Sequence, residues 1–477
     1  MKRESHVSLM FKNYVNGHWE TGATTGVAAN PSDLDESIGE YARADARQTD
    51  AAVGAAHAAW REWSHSPVPR RAELLDAIGA EILARKVELG RLLAREVGKP
   101  LAEAIAETGR AAAWFKYFAA ALQRRDGDRY AVVYPGVDRD AQLEPVGVVG
   151  IITPWSFPYE LPALKIAAAL AYGNCVVFKP AESASACAWQ LTEIISRSGL
   201  PAGVFNLVLG SGRQVGARIV THPDVAALSF SGSPAVAEQV AQAGAARMRR
   251  VQLECGGKNT LVVLADADFD AAVNAAVDSA FLTAGQRSDA ASRLIVERSL
   301  QARFVEALHS KLSRLKLDHA LKRGIYLGPI ANAHQLERDL DYVGIGQAEG
   351  AELICGGTRV ERATRGHFVE PALFVGRPEH RIAREEIFGP VAVVLAADDY
   401  EHALALSNQV PACAPTQQTA AIFTQALKSA VHFRRHSRAA TVTVNLPTTG
   451  VGGGAGSLRG IQAGEFYSQM KTAYWAA

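Results

Sequence analysis

Residues 285–296 of the 477-residue chain read GQRSDAASRLIV, a Gly-Gln turn, a run of small residues and then an apolar strand. Such a turn presents one side chain, Ser288, to a reaction centre. A serine hydroxyl ionises so rarely that it needs a hydrogen-bonded base, normally histidine, before it attacks. No histidine stands near this stretch or the other motifs described below. QLECGGKN (252–259) supplies a carboxylate, Glu254, at the end of a strand and before two glycines. A carboxylate there is either a satisfied cap or a general base with a raised pKa. Cys255 is adjacent, but alternation along the strand turns it to the opposite face, so it reads as core filler.

Four further stretches have the chemistry of a nucleotide site. In FKPAES (178–183), Lys179 can donate to ribose hydroxyls and Glu182 can accept from them. A carboxylate there disfavours a 2′-phosphate, so NAD is expected over NADP; a solvated loop with a capping glutamate is the plainer alternative. SFSGSPAVAEQV (229–240) has Ser233 as a helix N-cap and Pro234 in the first turn, with Gly232 allowing close backbone approach. The free N–H groups and positive dipole end of that helix suit a phosphate. ITPWSFP (152–158) puts Trp155 and Ser156 at the carboxyl end of a strand, where ligands bind in open α/β sheets, or else forms a packed turn. REEIFGPV (384–391) offers Glu386 for a ribose and Phe388 with Gly389 for the face of a flat ring, though alone it is an ordinary turn. GSGRQVG (210–216) imitates a glycine fingerprint with the wrong final spacing and reads as a helix cap.

These motifs need elements to carry them. Residues 49–63, 70–99 and 101–122 have apolar positions three and four apart, an Ala-rich helical layer. Around 131–146 the pattern changes to a β-excursion, followed by a buried strand, VGVVGIITP. Strands at NCVVFKP, VFNLVLG, VAALSFSG and RVQLECGG then alternate with helices starting near Ser183, Arg213 and Pro234. Helical crossovers imply a parallel sheet covered on both faces. The alternation restarts at NTLVVLADADFDAAV and runs to about residue 440, a second α/β domain. GVGGGAGS (450–457) reads as a flexible loop.

Composition excludes several classes. Lys plus Arg total 50 against 49 Asp plus Glu, a formal charge of +1, so nothing suggests a nucleic-acid or anionic-membrane partner. The five cysteines are scattered without a CxxC pair, which fits a reducing compartment, and no metal site is expected. MKRESHVSLM lacks an apolar secretory core, and Met10 is an alternative start. No apolar run reaches the roughly 18 residues of a membrane span. A cytoplasmic protein is expected.

In their order and separations, TPWSFP, FKPAE, FSGS, LECGGK, GQRS and EEIFGP resemble the signature of the NAD(P)-dependent aldehyde dehydrogenase superfamily, from about Tyr14 to Tyr474. The closing NLPTTG…EFYSQMKTAY looks most like the α-ketoglutaric semialdehyde dehydrogenase branch. The resemblance implies an α/β aldehyde dehydrogenase fold: a parallel-sheet dinucleotide-binding domain (10–128 and 147–258), an α/β catalytic domain (259–440), and oligomerising or bridging segments (129–146 and 441–477). A homodimer or homotetramer and a small aldehyde or acid ligand follow from it. So do roles for Lys179 and Glu182 at the adenosine ribose, Ser233 at the pyrophosphate, and Trp155 along the cleft. Glu386 would hold the nicotinamide ribose, Phe388 would contact the nicotinamide, and Glu254 would be the general base. In that family a cysteine thiolate attacks the aldehyde, and an asparagine amide with a backbone N–H holds the oxyanion.

Two positions depart from the pattern: Ser288 stands at the cysteine and Ser156 at the asparagine. The segments after Val451 and at 412–424 also differ from the family's usual turns. A thiol near pKa 8.5 is a few per cent ionised at neutral pH, unlike an alcohol. The expectation is a chain that keeps NAD binding and oxidises aldehydes poorly or not at all. A working enzyme with an unusual nucleophile such as Cys255, a serine introduced to trap substrate, and a non-catalytic ligand-binding or partner subunit are the alternatives.

Overall fold

Short β-branched runs bury both faces only when helices cover the sheet they form. The computed structural model, which describes residues 9–124, 128–129, 136–409, 417–450 and 458–476, meets that condition twice. One seven-stranded sheet has the order Arg250–Cys255, Ala227–Gly232, Val148–Ile152, Cys175–Lys179, Phe205–Leu207, Asn13–Val15, His18–Glu20. Its first five strands run parallel, and Asn13–Val15 joins antiparallel. The second has the order Glu352–Cys355, Ala372–Val375, Val391–Ala397, Arg293–Glu297, Thr260–Val263, Thr419–Phe423, Thr441–Val444, parallel except at its first pair. Val148–Ile152, Cys175–Lys179 and Thr260–Val263 are almost wholly buried, as parallel strands between helical layers must be.

Two smaller antiparallel assemblies flank these. Thr24–Asn30 pairs with Asp33–Arg43, which also takes Met10–Phe11 as a parallel neighbour. The β-excursion, Asp128–Arg129 and Val137–Pro145, pairs with the closing strand Ser468–Ala476. Most of that closing strand is exposed, including Met470, Tyr474 and Trp475.

Several sequence expectations need adjustment. The pattern at 70–99 is two helices, Val68–Ala84 and Lys86–Val97, parted at Arg85. That residue leaves helical geometry while its guanidinium bonds Glu88 and Glu193. The helix expected near Ser183 starts at Ser185, after a 3-10 turn at Glu182–Ala184. The one expected near Arg213 is a wide turn at Gly212–Gly216, capped by Ser211, running into Ala217–Thr221. Thr441–Val444, assigned by sequence to the bridging tail, is instead the edge strand of the second sheet, hydrogen-bonded beside Thr419–Phe423. The glycine-rich loop at 451–457 and the segment 410–416, with Cys413, lie outside the described residues.

Candidate functional site

Register builds the first part of the site. Ser229 pairs with Gln252 and Ser231 with Glu254 across parallel strands, so all four side chains share one face. The Ser231 hydroxyl donates to Glu254 at 2.9 Å, and that of Ser229 to Gln252 at 2.7 Å. Beneath them the helix Glu160–Ala171 is apolar except for Glu160 at its start and one buried lysine, Lys165. Its ammonium reaches Ser229 at 2.9 Å and the Glu254 carboxylate at 3.3 Å. Glu254 is therefore an ion-paired carboxylate rather than a bare base. Cys255, on the other face, is half-buried; burial raises its thiol pKa, and the Glu386 and Glu254 carboxylates raise it further. A thiol so placed is a poor thiolate source.

The turn bearing Ser288 is strained and heavily braced. Thr283 and Ala284 both have φ of 54° and Gly285 has φ of 67°, three successive left-handed residues. For the two non-glycine residues this costs about 1–2 kcal/mol each. A side chain at Gly285 would strike the Gly389 carbonyl, so this turn and the EEIFGP loop meet only because Gly285 has none. The Thr283 hydroxyl bonds Glu103, whose pKa burial raises. Buried Gln286 accepts from the Ala331 N–H at 2.9 Å and donates to the Pro329 carbonyl at 3.3 Å. Asn259, from the LECGGKN stretch, donates to the Ser288 and Ala290 carbonyls at 2.7 and 3.0 Å. On either side of Ser288, Arg287 and Asp289 form a two-pronged ion pair at 2.8 and 2.9 Å. The backbone of Ser288 is thus fixed. Its half-buried hydroxyl has no hydrogen-bond partner among the described residues.

Ser156 is buried, and its carbonyl accepts from Lys99 at 2.9 Å. Lys99, wholly buried, ion-pairs with Glu107 and sits 3.9 Å over the Phe157 ring. Glu107 in turn accepts from the N–H groups of Tyr159 and Glu160. Arg287 lies 5.0 Å over the same Phe157 ring, which ties the TPWSFP turn to the serine turn. The Ser156 hydroxyl itself is unbonded among the described residues.

The remaining motifs bring loops of the two large sheets against each other. Trp155 meets Phe388 edge to face at 5.5 Å. Phe388 has φ of 67°, and its loop is gripped from the helix Ala333–Ala348. Arg338 donates to the Glu386 carbonyl at 2.5 Å and Gln335 to the Ile387 carbonyl at 2.9 Å. Glu386 is pushed up to about 7 by burial, despite Lys258, Arg338 and the Gly257 N–H, and its carboxylate fills the space a side chain at Gly256 would need. Lys179 is buried and lowered to about 8 by desolvation, partly offset by Glu182. Its ammonium bonds to nothing among the described residues. Ser233 is exposed at the start of the helix Pro234–Ala245, and its hydroxyl makes no capping bond. An unpartnered buried ammonium and an uncapped helix N-terminus fit a group with ribose hydroxyls and phosphates.

Sequence reasoning missed the partners. Glu182 is not bare: its Oε1 accepts from the Tyr41 hydroxyl at 2.9 Å and from Arg43 Nε at 3.0 Å, both on the strand Asp33–Arg43. Lys165, Asn259 and the Arg287–Asp289 pair were also overlooked. Lys165 had a readable signal, a single cation inside an apolar helix; Arg43, about 140 residues from Glu182, had none. No cluster of three or more potential metal ligands and no helix long and apolar enough to cross a membrane occurs among the described residues.

Comparison with known proteins matches residues 19–473 to the aldehyde dehydrogenase family. The α-ketoglutaric semialdehyde dehydrogenase of Bacillus subtilis is 37% identical over 452 residues, covering 92% of this chain and 91% of that protein. The α-ketoglutarate semialdehyde dehydrogenase of Haloferax volcanii is also 37% identical, over 450 residues and the same shares. Among solved structures, betaine aldehyde dehydrogenase from Staphylococcus aureus in complex with NAD+ superposes with a TM-score of 0.92 at 28% identity, covering 98% of this chain and 95% of that one. HpcC from Thermus thermophilus gives 0.93 at 33% identity, with 98% and 93% covered. With a family match over nearly its full length and that fold in its solved relatives, the chain belongs to the aldehyde dehydrogenase family.

Proposed function

We propose that this chain binds NAD in the cleft but oxidises aldehydes to carboxylates slowly or not at all. The observation that carries the reading is the isolation of Ser288. Its hydroxyl has no base within hydrogen-bond reach among the described residues, and Glu254 is engaged by Lys165 and Ser231. By resemblance, Ser288 stands at the position of the family's attacking cysteine and Ser156 at that of its oxyanion asparagine. An alcohol without a base does not form the covalent adduct at a useful rate. Loss of one oxyanion donor costs a further factor of roughly 10²–10³.

The cofactor side is better equipped. Lys179 and Glu182 would hold the adenosine ribose, and Ser233 with the N–H groups of its helix, reached past Gly232, the pyrophosphate. Glu386 would hold the nicotinamide ribose, with Trp155 and Phe388 flanking the ring. NAD, when bound, supplies a hydride acceptor. The names of the Bacillus subtilis and Haloferax volcanii relatives point to a short semialdehyde, or its acid, as the ligand. Assembly as a homodimer or homotetramer through the exposed strand Ser468–Ala476 and a cytoplasmic location complete the reading. The rival in which Cys255 takes over as nucleophile is opposed by its raised pKa.

The test follows reduced nicotinamide by absorbance with a panel of aldehydes, for the wild type and Ser288→Cys. Little turnover by the wild type and a large gain in the variant support the proposal. Wild-type rates equal to those of the variant defeat it.

A further inference from the structure

The loop that carries Lys179 and Glu182 leads into the helix Ser185–Arg197, and that helix has no cap of its own. Its N-cap residue, Ala184, offers no side-chain acceptor, and the Ser185 hydroxyl turns back to the Glu182 carbonyl at 2.8 Å. The N–H groups of Ala186 and Cys187 are the ones a capping side chain ordinarily takes. Here a glutamate from another helix takes both. Glu96 accepts from the Ala186 N–H through Oε1 at 2.7 Å and from the Cys187 N–H through Oε2 at 2.8 Å.

Glu96 is badly placed for its own helix. It lies in the last turn of Lys86–Val97, where the helix dipole disfavours an anion. It is 2% exposed and has no cation partner among the described residues. Burial pushes its pKa up to about 7, although the Ala186 and Cys187 N–H groups and the Cys187 thiol favour the anion. A buried carboxylate without a cation costs stability, and its hydrogen-bond partners all belong to the start of the facing helix.

Those bonds act on the loop through a short chain of contacts. The turn Glu182–Ala184 packs against the helix Lys86–Val97 and closes through the Ala184 N–H to the Ala181 carbonyl at 3.0 Å. Ser185 joins that turn to the capped helix. Lys179 is fixed separately, at the end of the strand Cys175–Lys179. Where the helix starts therefore decides where Glu182 stands relative to Lys179. Tyr41 and Arg43 hold the tip of the Glu182 side chain; the backbone that carries it needs its own anchor.

We infer that Glu96 is a positioning residue for the adenosine-ribose loop: it caps the helix Ser185–Arg197 from outside and so fixes the backbone of Glu182 relative to Lys179. The inference rests on the dinucleotide site proposed above.

Calorimetric titration of the purified protein with NAD and with adenosine monophosphate tests it, with thermal melting to establish that each variant is folded. Glu96→Ala should weaken both ligands by the same factor, roughly tenfold, the size of a lost helix cap. Glu96→Gln keeps one acceptor oxygen and should recover part of that loss, to about threefold; it also serves where the alanine variant does not fold. NAD affinity equal to wild type in either folded variant overturns the role given to Glu96. Equal losses in the two variants also overturn it, since acceptance of the N–H groups is then not what matters. A loss for NAD without the same loss for adenosine monophosphate does so too, because the effect is then not local to the adenosine end. Wild type that binds NAD but not adenosine monophosphate overturns the placing of the adenosine ribose in this loop, and the role of Glu96 with it. Binding of neither by the folded wild type overturns the dinucleotide site itself.

Discussion

The proposed cofactor-binding and reacting regions contrast in what their polar groups touch. In the proposed cofactor region, the Lys179 ammonium and the Ser233 hydroxyl have no hydrogen-bond partner among the described residues, as groups held ready for a ligand do. In the proposed reacting region the backbone is fixed by many bonds, Glu254 is ion-paired with Lys165, and the Ser288 hydroxyl has no hydrogen-bond partner among the described residues. Asn259, Gln286 and Thr283 hold the serine turn in place, and Lys165 and Ser231 hold Glu254. Strain in a backbone is a sign of function because something must keep it. Here the strain at Thr283 and Ala284 survives around an oxygen where the resemblance expects sulfur.

The largest effect should come from repairing the reacting end. Ser288→Cys combined with Ser156→Asn should raise aldehyde oxidation by on the order of 10³-fold or more, with the asparagine alone adding about 10²–10³ in the cysteine background. Initial rates across the double-mutant cycle measure both. If Ser156→Asn adds nothing there, Ser156 is not a lesion and the contrast narrows to one atom.

Next, Lys179→Ala should weaken NAD binding about ten- to a hundredfold, the ~1.5–3 kcal/mol of a hydrogen bond to a charged group. Unchanged affinity by titration would mean the unpartnered ammonium waits for something else.

A pH effect belongs to the loop that bears Phe388. Asp339 sits in the buried face of the helix Ala333–Ala348 with Leu336, Tyr342 and Val343, packed against Gly389. One oxygen accepts from Gln335 at 2.7 Å and the other is unsatisfied. Burial pushes its pKa up to about 8, with Gln335 and Arg338 opposing. The folded state therefore holds a proton that the unfolded chain, near 3.8, has lost. The stability this protonation contributes is full below the unfolded pKa, shrinks by about 1.4 kcal/mol per pH unit through the window, and is gone above about 8. Melting should fall from pH 6 to pH 9 in the wild type. Asp339→Asn should flatten that slope and gain about 1–3 kcal/mol at the alkaline end. Identical slopes in the two proteins would contradict the assignment.

The smallest effect tests the strained turn. Ala284→Gly should change stability by less than about 0.5 kcal/mol, because relief of the left-handed strain offsets the ~1 kcal/mol that glycine usually costs. A full loss in a denaturant titration would mean the turn is not strained as described.

Much of this was legible in the chain. Alternating strand and helix runs gave both parallel sheets, because periodicity reports which faces are buried. Pro234 and the GSGRQVG stretch announced helix starts, the latter through the Ser211 cap, whereas Ser233 stands at its helix start without a capping bond. What could not be read was long-range pairing. Arg43 with Glu182 depends on how separate sheets dock, and Asn259 with Ser288 on which strands of the second sheet become neighbours. Thr441–Val444 was misassigned because an edge strand looks like a linker until its neighbour is known.

The most direct trial mixes unmodified protein, saturated with NAD as established by titration, with a short semialdehyde and follows reduced nicotinamide through a single turnover. We expect bound NAD and no rapid phase, with any product forming about 10³ times more slowly than in the Ser288→Cys, Ser156→Asn protein. A burst of reduced nicotinamide equal to the sites present, from the serine-bearing chain, would contradict the account.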